Sequence, residues 1–105
     1  MPQFAVYRNE NPGSSEEFPF LVDVQADLLD ELDTRVVIPL GKAAELTGFP
    51  MRYLVPVVTF DGEPYALLTP QLAGISRCEL GPPAGSLANP ERAILAAIDF
   101  LLRGF

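Results

Sequence analysis

The sequence contains no histidine and no tryptophan, only one cysteine, and few cationic side chains. Without histidine the chain lacks the usual general base near neutral pH, the serine and cysteine triads built on it, and the commonest metal ligand. Carboxylates alone can perform acid-base chemistry, but the acids here are scattered through expected loops and strand ends, where a solvated surface is their ordinary interpretation. Catalysis is therefore the weaker hypothesis, and we predict no catalytic residue, metal or cofactor.

The single Cys78 has no intramolecular disulfide partner. Its place in GISRCEL, between expected strand residues, predicts a small buried hydrophobe in a reducing compartment. The chain also has no run of eighteen apolar residues and does not open with the pattern of a signal peptide. These features predict a cytoplasmic protein without a membrane span.

Positive charge is scarce, with 7 Lys and Arg against 14 Asp and Glu and a formal net charge of -7. The resulting field repels phosphate backbones and phospholipid head groups, which argues against direct binding of nucleic acid or membranes. A basic protein segment is the better electrostatic partner. The acidic stretch around Glu10, Glu16 and Glu17 is a candidate for meeting such a segment, although its composition equally fits a mobile surface loop.

Length and composition predict one domain over residues 1–105, mainly β (α+β). Hydrophobic residues make up 49% and charged residues 20% of the chain, as in globular proteins. The 11 prolines and 8 glycines divide the sequence into short segments. Such division favours a small barrel over a helical bundle.

Several short segments have the composition of strands, and Asp61-Gly62 predicts a two-residue type I′ hairpin between two of them. Pro39 cannot donate a ladder hydrogen bond, which predicts a sheet edge or a bulge. A single helical turn closed by Gly48 is expected in KAAELTG, and GPPAGS is expected to form a rigid break. The expected strands are residues 3–8, 20–25, 35–40, 55–60 and 74–80, together with the segment that follows Gly62.

Leu28 and Leu29 are adjacent within ADLLDELDT, a segment otherwise rich in acids. In an extended chain the two side chains point to opposite faces. One interpretation buries one leucine and exposes the other. The alternative is a small apolar contact surface surrounded by carboxylates.

The last segment predicts a helix that begins at Asn89-Pro90-Glu91, with Asn89 as N-cap, and continues toward the C-terminus. Its apolar arc is wider than one packing contact requires, which indicates a homodimer interface, unusually deep packing or a surface for a target. Gly104 is suited to a left-handed cap that lets Phe105 fold back on Phe100, although the tail can instead be presented to a partner. The arc comprises Ile94, Leu95, Ala97, Ile98, Phe100, Leu101 and Leu102.

These segments together resemble the CcdB toxins of type II toxin-antitoxin modules. The resemblance covers nearly the whole chain, and VDVQ followed by a paired-aliphatic acidic segment and then VIPL is its most specific part. It is carried by QFAVY, FLVDVQADLLD, RVVIPL, the following PVV strand and the terminal AAIDFLLRGF.

The resemblance implies a small SH3-like barrel of the CcdB/MazF/Kid type with a C-terminal α-helix, forming a symmetric homodimer. Such toxins bind the DNA gyrase A subunit and trap its covalent complex with cleaved DNA, without being enzymes. A CcdA-like antitoxin releases gyrase and supplies the DNA-binding domain that represses the operon, so DNA is contacted only indirectly. The implied gyrase contacts are Leu28, Leu29, Asp99, Leu102, Arg103, Gly104 and Phe105.

This chain departs from the well-known family member near its end. Arg103 replaces a tryptophan, and Leu102 replaces the aromatic residue before it, whereas the penultimate glycine is unchanged. A guanidinium has less aromatic area than an indole and adds a charge. The changed tail therefore leaves open a non-toxic relative that binds and buffers antitoxin. A second alternative is an endoribonuclease, because related toxins of the MazF/Kid group with the same barrel cleave RNA.

Overall fold

A computed structural model of the protein describes residues 2–43 and 53–104. Its strands and its α-helix are β1 (Ala5–Arg8), β2 (Phe20–Asp23), β3 (Thr34–Lys42), β4 (Val57–Phe60), β5 (Glu63–Leu67), β6 (Ala73–Ser76), β7 (Pro83–Ser86) and α1 (Glu91–Arg103). The seven strands of the described residues form one curled, barrel-like antiparallel sheet of order β4-β5-β3-β2-β1-β7, with β6 also paired to β3. The C-terminal helix α1 packs against the core, and the expected mainly β, barrel-like fold with a C-terminal helix is confirmed.

Strand β3 is the centre of the sheet because it pairs with three other strands. It pairs with β2 along one side, and on the other side with β6 through residues 34–37 and with β5 through residues 40–42. Pro39 lies between the residues of β3 that pair with β6 and those that pair with β5. Its carbonyl accepts a hydrogen bond from the Leu68 N–H at 3.0 Å. The prediction of a sheet edge at Pro39 is therefore wrong, because a missing donor is tolerated at this changeover between partners.

The main core lies between the concave face of the sheet and α1. Val22 and Val24 are buried in it and Phe20 packs against it, as the alternation in FLVDVQ predicts. A smaller cluster of Val55, Ala66 and Leu68 packs beneath Phe18. The buried members of the main core are Phe4, Val6, Val22, Val24, Ile38, Leu40, Val58, Phe60, Tyr65, Leu67, Leu87, Ile94 and Ala97.

The predicted hairpin is confirmed. Asp61 and Gly62 have φ angles of 54° and 80°, and Phe60 pairs with Glu63 across the turn. Two positive φ angles are what a type I′ turn requires. The predicted turn closed by Gly48 lies outside the described residues.

Two sequence predictions around residues 74–86 are wrong. The strand in GISRCEL ends at Ser76, and Cys78 lies in a 3-10 helix, Arg77–Glu79, with its side chain exposed rather than buried. GPPAGS contains β7, which pairs with β1 and closes that side of the sheet. The prediction of a rigid break in GPPAGS rested on its proline and glycine content. It is wrong because a strand at the end of the sheet tolerates residues that a central strand does not.

The ends of α1 agree only in part with the expected caps. The N-cap is Pro90 rather than Asn89, and it makes no side-chain cap hydrogen bond. At the other end Gly104 is left-handed with φ 81°, and its N–H donates to the Phe100 carbonyl at 2.8 Å. The predicted glycine cap is confirmed, whereas the contact of Phe105 with Phe100 lies outside the described residues.

Gly85 in β7 has no room for a side chain. A Cβ built there would lie 2.8 Å from the ring of Phe60, which is itself buried in the core. Gly85→Ala is therefore expected to lower the free energy of unfolding by about 1–3 kcal/mol, a typical cost of overpacking. Gly74→Ala in β6 is the matched control, since a Cβ there meets nothing within 4 Å. Urea denaturation of both variants tests the difference, and equal stabilities would contradict it.

Candidate functional site

Among the large hydrophobic side chains of the described residues, Leu28 is the most exposed, at 92%. It lies in residues 26–33, which we call the acidic leucine loop. Leu29 and Leu32 in the same loop are 46% and 48% exposed. Asp27, Glu31 and Asp33 are also exposed, so the leucines are surrounded by carboxylates. An apolar group displayed in this way is typical of a surface that contacts another protein.

The loop exposes both adjacent leucines because it is not extended. Asp27–Leu29 forms a 3-10 helix, closed by hydrogen bonds from Leu29 N–H to the Ala26 carbonyl and from Asp30 N–H to the Asp27 carbonyl. The interpretation that buries one leucine is therefore wrong. Alternating orientation applies to strands, whereas neighbours in a tight helical turn can share the solvent side.

A fully buried ion pair lies at the base of the loop. The Arg35 Nε donates to Asp23 Oδ2 at 2.8 Å and its Nη2 lies 2.7 Å from the same oxygen, with both side chains 0% exposed. The other Asp23 oxygen accepts the Gln25 N–H at 2.9 Å. The expectation that the acids lie on a solvated surface is therefore wrong for Asp23. Asp23 and Arg35 each compensate the burial of the other's charge.

The acidic leucine loop is attached to the sheet by further polar contacts. The Gln25 side chain donates to the Leu29 carbonyl at 2.9 Å and accepts the Val36 N–H at 3.1 Å. Arg35 Nη1 reaches Asp30 Oδ1 at 3.3 Å. These contacts link the exposed turn to β3, so its leucines are displayed from a fixed base.

Tyr7 is buried beside the ion pair. Burial raises the pKa of its phenol, and the negative charge of Asp23 acts in the same direction. Tyr7 pairs with Leu21 across β1 and β2, and Leu21 pairs in turn with Pro39.

The second candidate surface is one side of α1. Leu95, Asp99 and Leu102 follow at helical spacing along that side, and the two leucines are 47% and 75% exposed. Ile94 and Ala97 face the core and are fully buried. On another side, the ring of exposed Tyr53 stacks on Phe100 with 6.4 Å between centroids. The predicted wide apolar arc is confirmed, because packing against the core fully buries Ile94 and Ala97 but leaves Leu95 and Leu102 exposed.

The structure places the predicted gyrase contacts in two groups with separate supports. Leu28 and Leu29 share the acidic leucine loop, which is held by Gln25 and by Arg35 of β3. Asp99 and Leu102 share one side of α1, and Arg103 and Gly104 end that helix. Among the remaining predictions, Phe105 lies outside the described residues.

The exposed Leu32 was not predicted from the sequence as a contact residue, and Leu95 was predicted only as a member of the apolar arc of α1. Leu32 is followed by Asp33 and preceded by Glu31, the same acidic context that singled out Leu28 and Leu29. Leu95 precedes Leu102 by seven residues, which is two helical turns. Both signals were present in the sequence.

A groove lies on the outer face of the sheet beside residues 9–19. It has a volume of about 230 Å³ and a mixed apolar and polar lining. The apolar lining residues are Phe18, Leu21, Val37, Pro39, Ala73 and Ile75, and the polar ones are Asn9, Asn11, Ser14, Gln71 and Glu79. An apolar cavity of about 150 Å³ already holds a benzene ring. The groove therefore has room for a large apolar side chain.

Residues 9–19 contain no helix or strand, as predicted, but they are held by internal hydrogen bonds. The Asn9 amide donates to Ser14 Oγ at 3.0 Å and to the Phe18 carbonyl at 2.8 Å. Glu10, Glu16 and Glu17 are exposed on this segment. The acidic candidates thus lie on the segment that forms one side of the groove.

The described residues offer no arrangement for metal chemistry, since none of their His, Cys, Asp and Glu side chains form a group of three or more that could hold an ion. Within the same residues, no helix is long and apolar enough to cross a membrane. The sequence matches the family model described as CcdB protein over residues 3–104.

Proposed function

The chain belongs to the CcdB family, and we propose that it is the toxin of a type II toxin-antitoxin module. It binds the DNA gyrase A subunit and traps the cleaved gyrase-DNA complex. It acts by binding rather than by catalysis. A cognate antitoxin neutralises it and carries the DNA contacts of the module.

The observation that carries this proposal is the acidic leucine loop. Leu28 is 92% exposed on a turn that is fixed to β3 by Gln25 and Arg35. Because the loop is already ordered by these contacts, it loses little conformational entropy when a partner covers Leu28. Its acidic surroundings favour a partner surface that carries positive charge.

The exposed side of α1 supplies the second part of the proposed gyrase surface. Leu102 and Asp99 lie together near the end of the helix, followed by Arg103, Gly104 and Phe105. Two copies of the chain pair as a homodimer in this proposal. The wide apolar arc of α1, exposed at Leu95 and Leu101, supports such pairing because a monomer leaves these side chains in water.

Antitoxin binding is proposed at residues 9–19 and the adjoining groove. Glu10, Glu16 and Glu17 supply negative charge on the segment beside the groove, whose lining includes apolar side chains such as Leu21 and Ile75. This combination suits a segment that has both basic and apolar side chains. Charge steers the approach of such a segment, and the apolar lining supplies burial.

The ribonuclease alternative requires cations that face a scissile phosphate. Arg35 is buried against Asp23, and the Arg77 side chain donates to the carbonyls of Asp30 and Leu32. The net charge of -7 also opposes RNA binding. The antitoxin-buffer alternative rests on Arg103, which replaces the tryptophan of the well-known family member. In this alternative the loss of that aromatic ring removes gyrase binding while antitoxin binding is kept.

A cleavage assay tests the proposed function. The purified protein, incubated with gyrase, ATP and supercoiled plasmid, is expected to yield linear DNA after denaturation of the enzyme. Added cognate antitoxin is expected to abolish that product. Cleavage of RNA by the purified protein would overturn the proposal in favour of the ribonuclease. Absence of linear DNA together with tight antitoxin binding would identify an antitoxin buffer.

A further inference from the structure

We infer that Arg77 is the positioning residue that sets the shape of the acidic leucine loop for partner recognition. The inference rests on the proposed function, since the partner is the gyrase A subunit. It concerns a residue remote from the loop in sequence, which displays no apolar group itself.

The Arg77 guanidinium lies over the end of the loop. Its Nη2 donates to the Asp30 carbonyl and to the Leu32 carbonyl, the latter at 3.1 Å, and lies 3.9 Å from Asp30 Oδ1. The two carbonyls flank Glu31, so a single side chain fixes the backbone on both sides of that residue. Hydrogen bonds from a charged donor are stronger than those between neutral groups.

Arg77 and Arg35 hold the loop from two different elements. Arg35 comes from β3 and reaches the Asp30 carboxylate from the buried side. Arg77 comes from the 3-10 helix Arg77–Glu79 after β6, and its side chain is 42% exposed. Asp30 therefore contacts both arginines. We call the hydrogen bonds from Arg77 to the Asp30 and Leu32 carbonyls the clamp, because they fix the loop that carries the exposed leucines.

The backbone of Arg77 is fixed independently of its side chain. Its N–H donates to the Asp33 carbonyl at 2.8 Å. The 3-10 helix is closed by a capping box in which the Ser76 N–H donates to Glu79 Oε2 at 2.9 Å. Changing the Arg77 side chain therefore removes the two carbonyl contacts without removing the support of the 3-10 helix.

Loss of the clamp leaves the second half of the loop with fewer constraints. Leu32 then retains its N–H bond to the Leu29 carbonyl but loses the donor on its own carbonyl. A partner that needs Leu28, Leu29 and Leu32 in one arrangement must then order the loop on binding. The expected consequence is weaker binding without loss of the fold.

The test compares Arg77→Gln with Arg8→Gln. Both variants remove one positive charge, and Arg8 lies over the Phe20 ring at 5.7 Å, away from the loop contacts of Arg77. We expect R77Q to weaken binding to a purified gyrase A fragment about tenfold. Amide exchange of Leu29, Asp30 and Leu32 is expected to accelerate by a similar factor. The melting temperature and antitoxin affinity should match those of R8Q, and R77K should restore part of the gyrase affinity.

Wild-type exchange rates in R77Q would overturn the inference, because the loop would then keep its order without the clamp. Faster exchange with unchanged gyrase affinity would also overturn it, because loop order would then not matter for recognition. A wild-type protein that fails to bind the gyrase fragment would overturn the proposed function as well. The wild-type titration, done first, therefore distinguishes failure of the proposed function from failure of the inference about Arg77.

Discussion

Replacing Arg35 by methionine is expected to lower the free energy of unfolding by about 3–5 kcal/mol, the usual cost of breaking a buried ion pair. The substitution leaves the Asp23 carboxylate buried, with one oxygen bonded only to the Gln25 N–H and the other without its cationic partner. Methionine fills much of the volume of the arginine stem. The loss therefore measures the uncompensated charge rather than a cavity, and chemical denaturation at neutral pH is the appropriate measurement.

Asp23→Leu and the double variant complete the test of the ion pair. Asp23→Leu removes the buried carboxylate beside Arg35, which keeps its contact with Asp30 Oδ1 at 3.3 Å, and is therefore expected to cost less than Arg35→Met. The double variant is expected to lose less than the sum of the two single variants. Arg92→Met provides a control for the general effect of removing an arginine, since Arg92 is exposed on α1. Strictly additive losses would contradict the coupling of Asp23 and Arg35.

Leu28→Ala is expected to leave stability almost unchanged and to weaken gyrase binding about 30-fold. The side chain is 92% exposed, so folding gains little from it. A partner that covers it gains about 2 kcal/mol from the buried methyl and methylene groups, which corresponds to this factor in affinity. Calorimetric titration of a gyrase A fragment with the variant, alongside thermal unfolding, separates the two effects.

Val57→Ala is the matched control for Leu28. Val57 is an aliphatic residue that is 63% exposed on β4, outside the acidic leucine loop. Its truncation is expected to change neither gyrase affinity nor stability appreciably. Equal losses of affinity for the two variants would indicate a non-specific apolar contact and would contradict the assignment of the loop.

The elements defined by local chemistry were predictable from the sequence. Asp61-Gly62 imposes two positive φ angles, and Gly104 ends a helix in the left-handed conformation, whatever the rest of the fold does. The apolar arc of α1 follows from helical spacing alone. The exposure of Leu95 and Leu102 is then expected, because the core can cover only one stripe of a helix.

The features that depend on tertiary contacts were not predictable in this way. Asp23 has the alternation of a solvent-facing strand residue, and only the approach of Arg35 from β3 explains its burial. Pro39 is tolerated in a central strand because two partners meet beside it. Likewise, the carbonyl contacts of Arg77 join residues more than forty positions apart, a separation at which residue spacing carries no signal.

Family membership adds what neither spacing nor packing provides. Residues 3–104 match the CcdB family model, which supports a toxin of this class. The candidate contacts in the acidic leucine loop combine apolar exposure with a fixed base. The candidate contacts at the tail combine one exposed leucine with Arg103, whose charge changes the chemistry that the tail offers to the proposed partner.

Titration of a purified gyrase A fragment with the intact protein, and with a version lacking Arg103 to Phe105, separates a recognition tail from a helix cap. We expect the intact protein to bind, and we expect truncation to abolish binding while the fold and the dimer are preserved. Absence of binding by the intact, folded protein would overturn the proposed gyrase recognition. It would leave the glycine turn after α1 as a helix cap only.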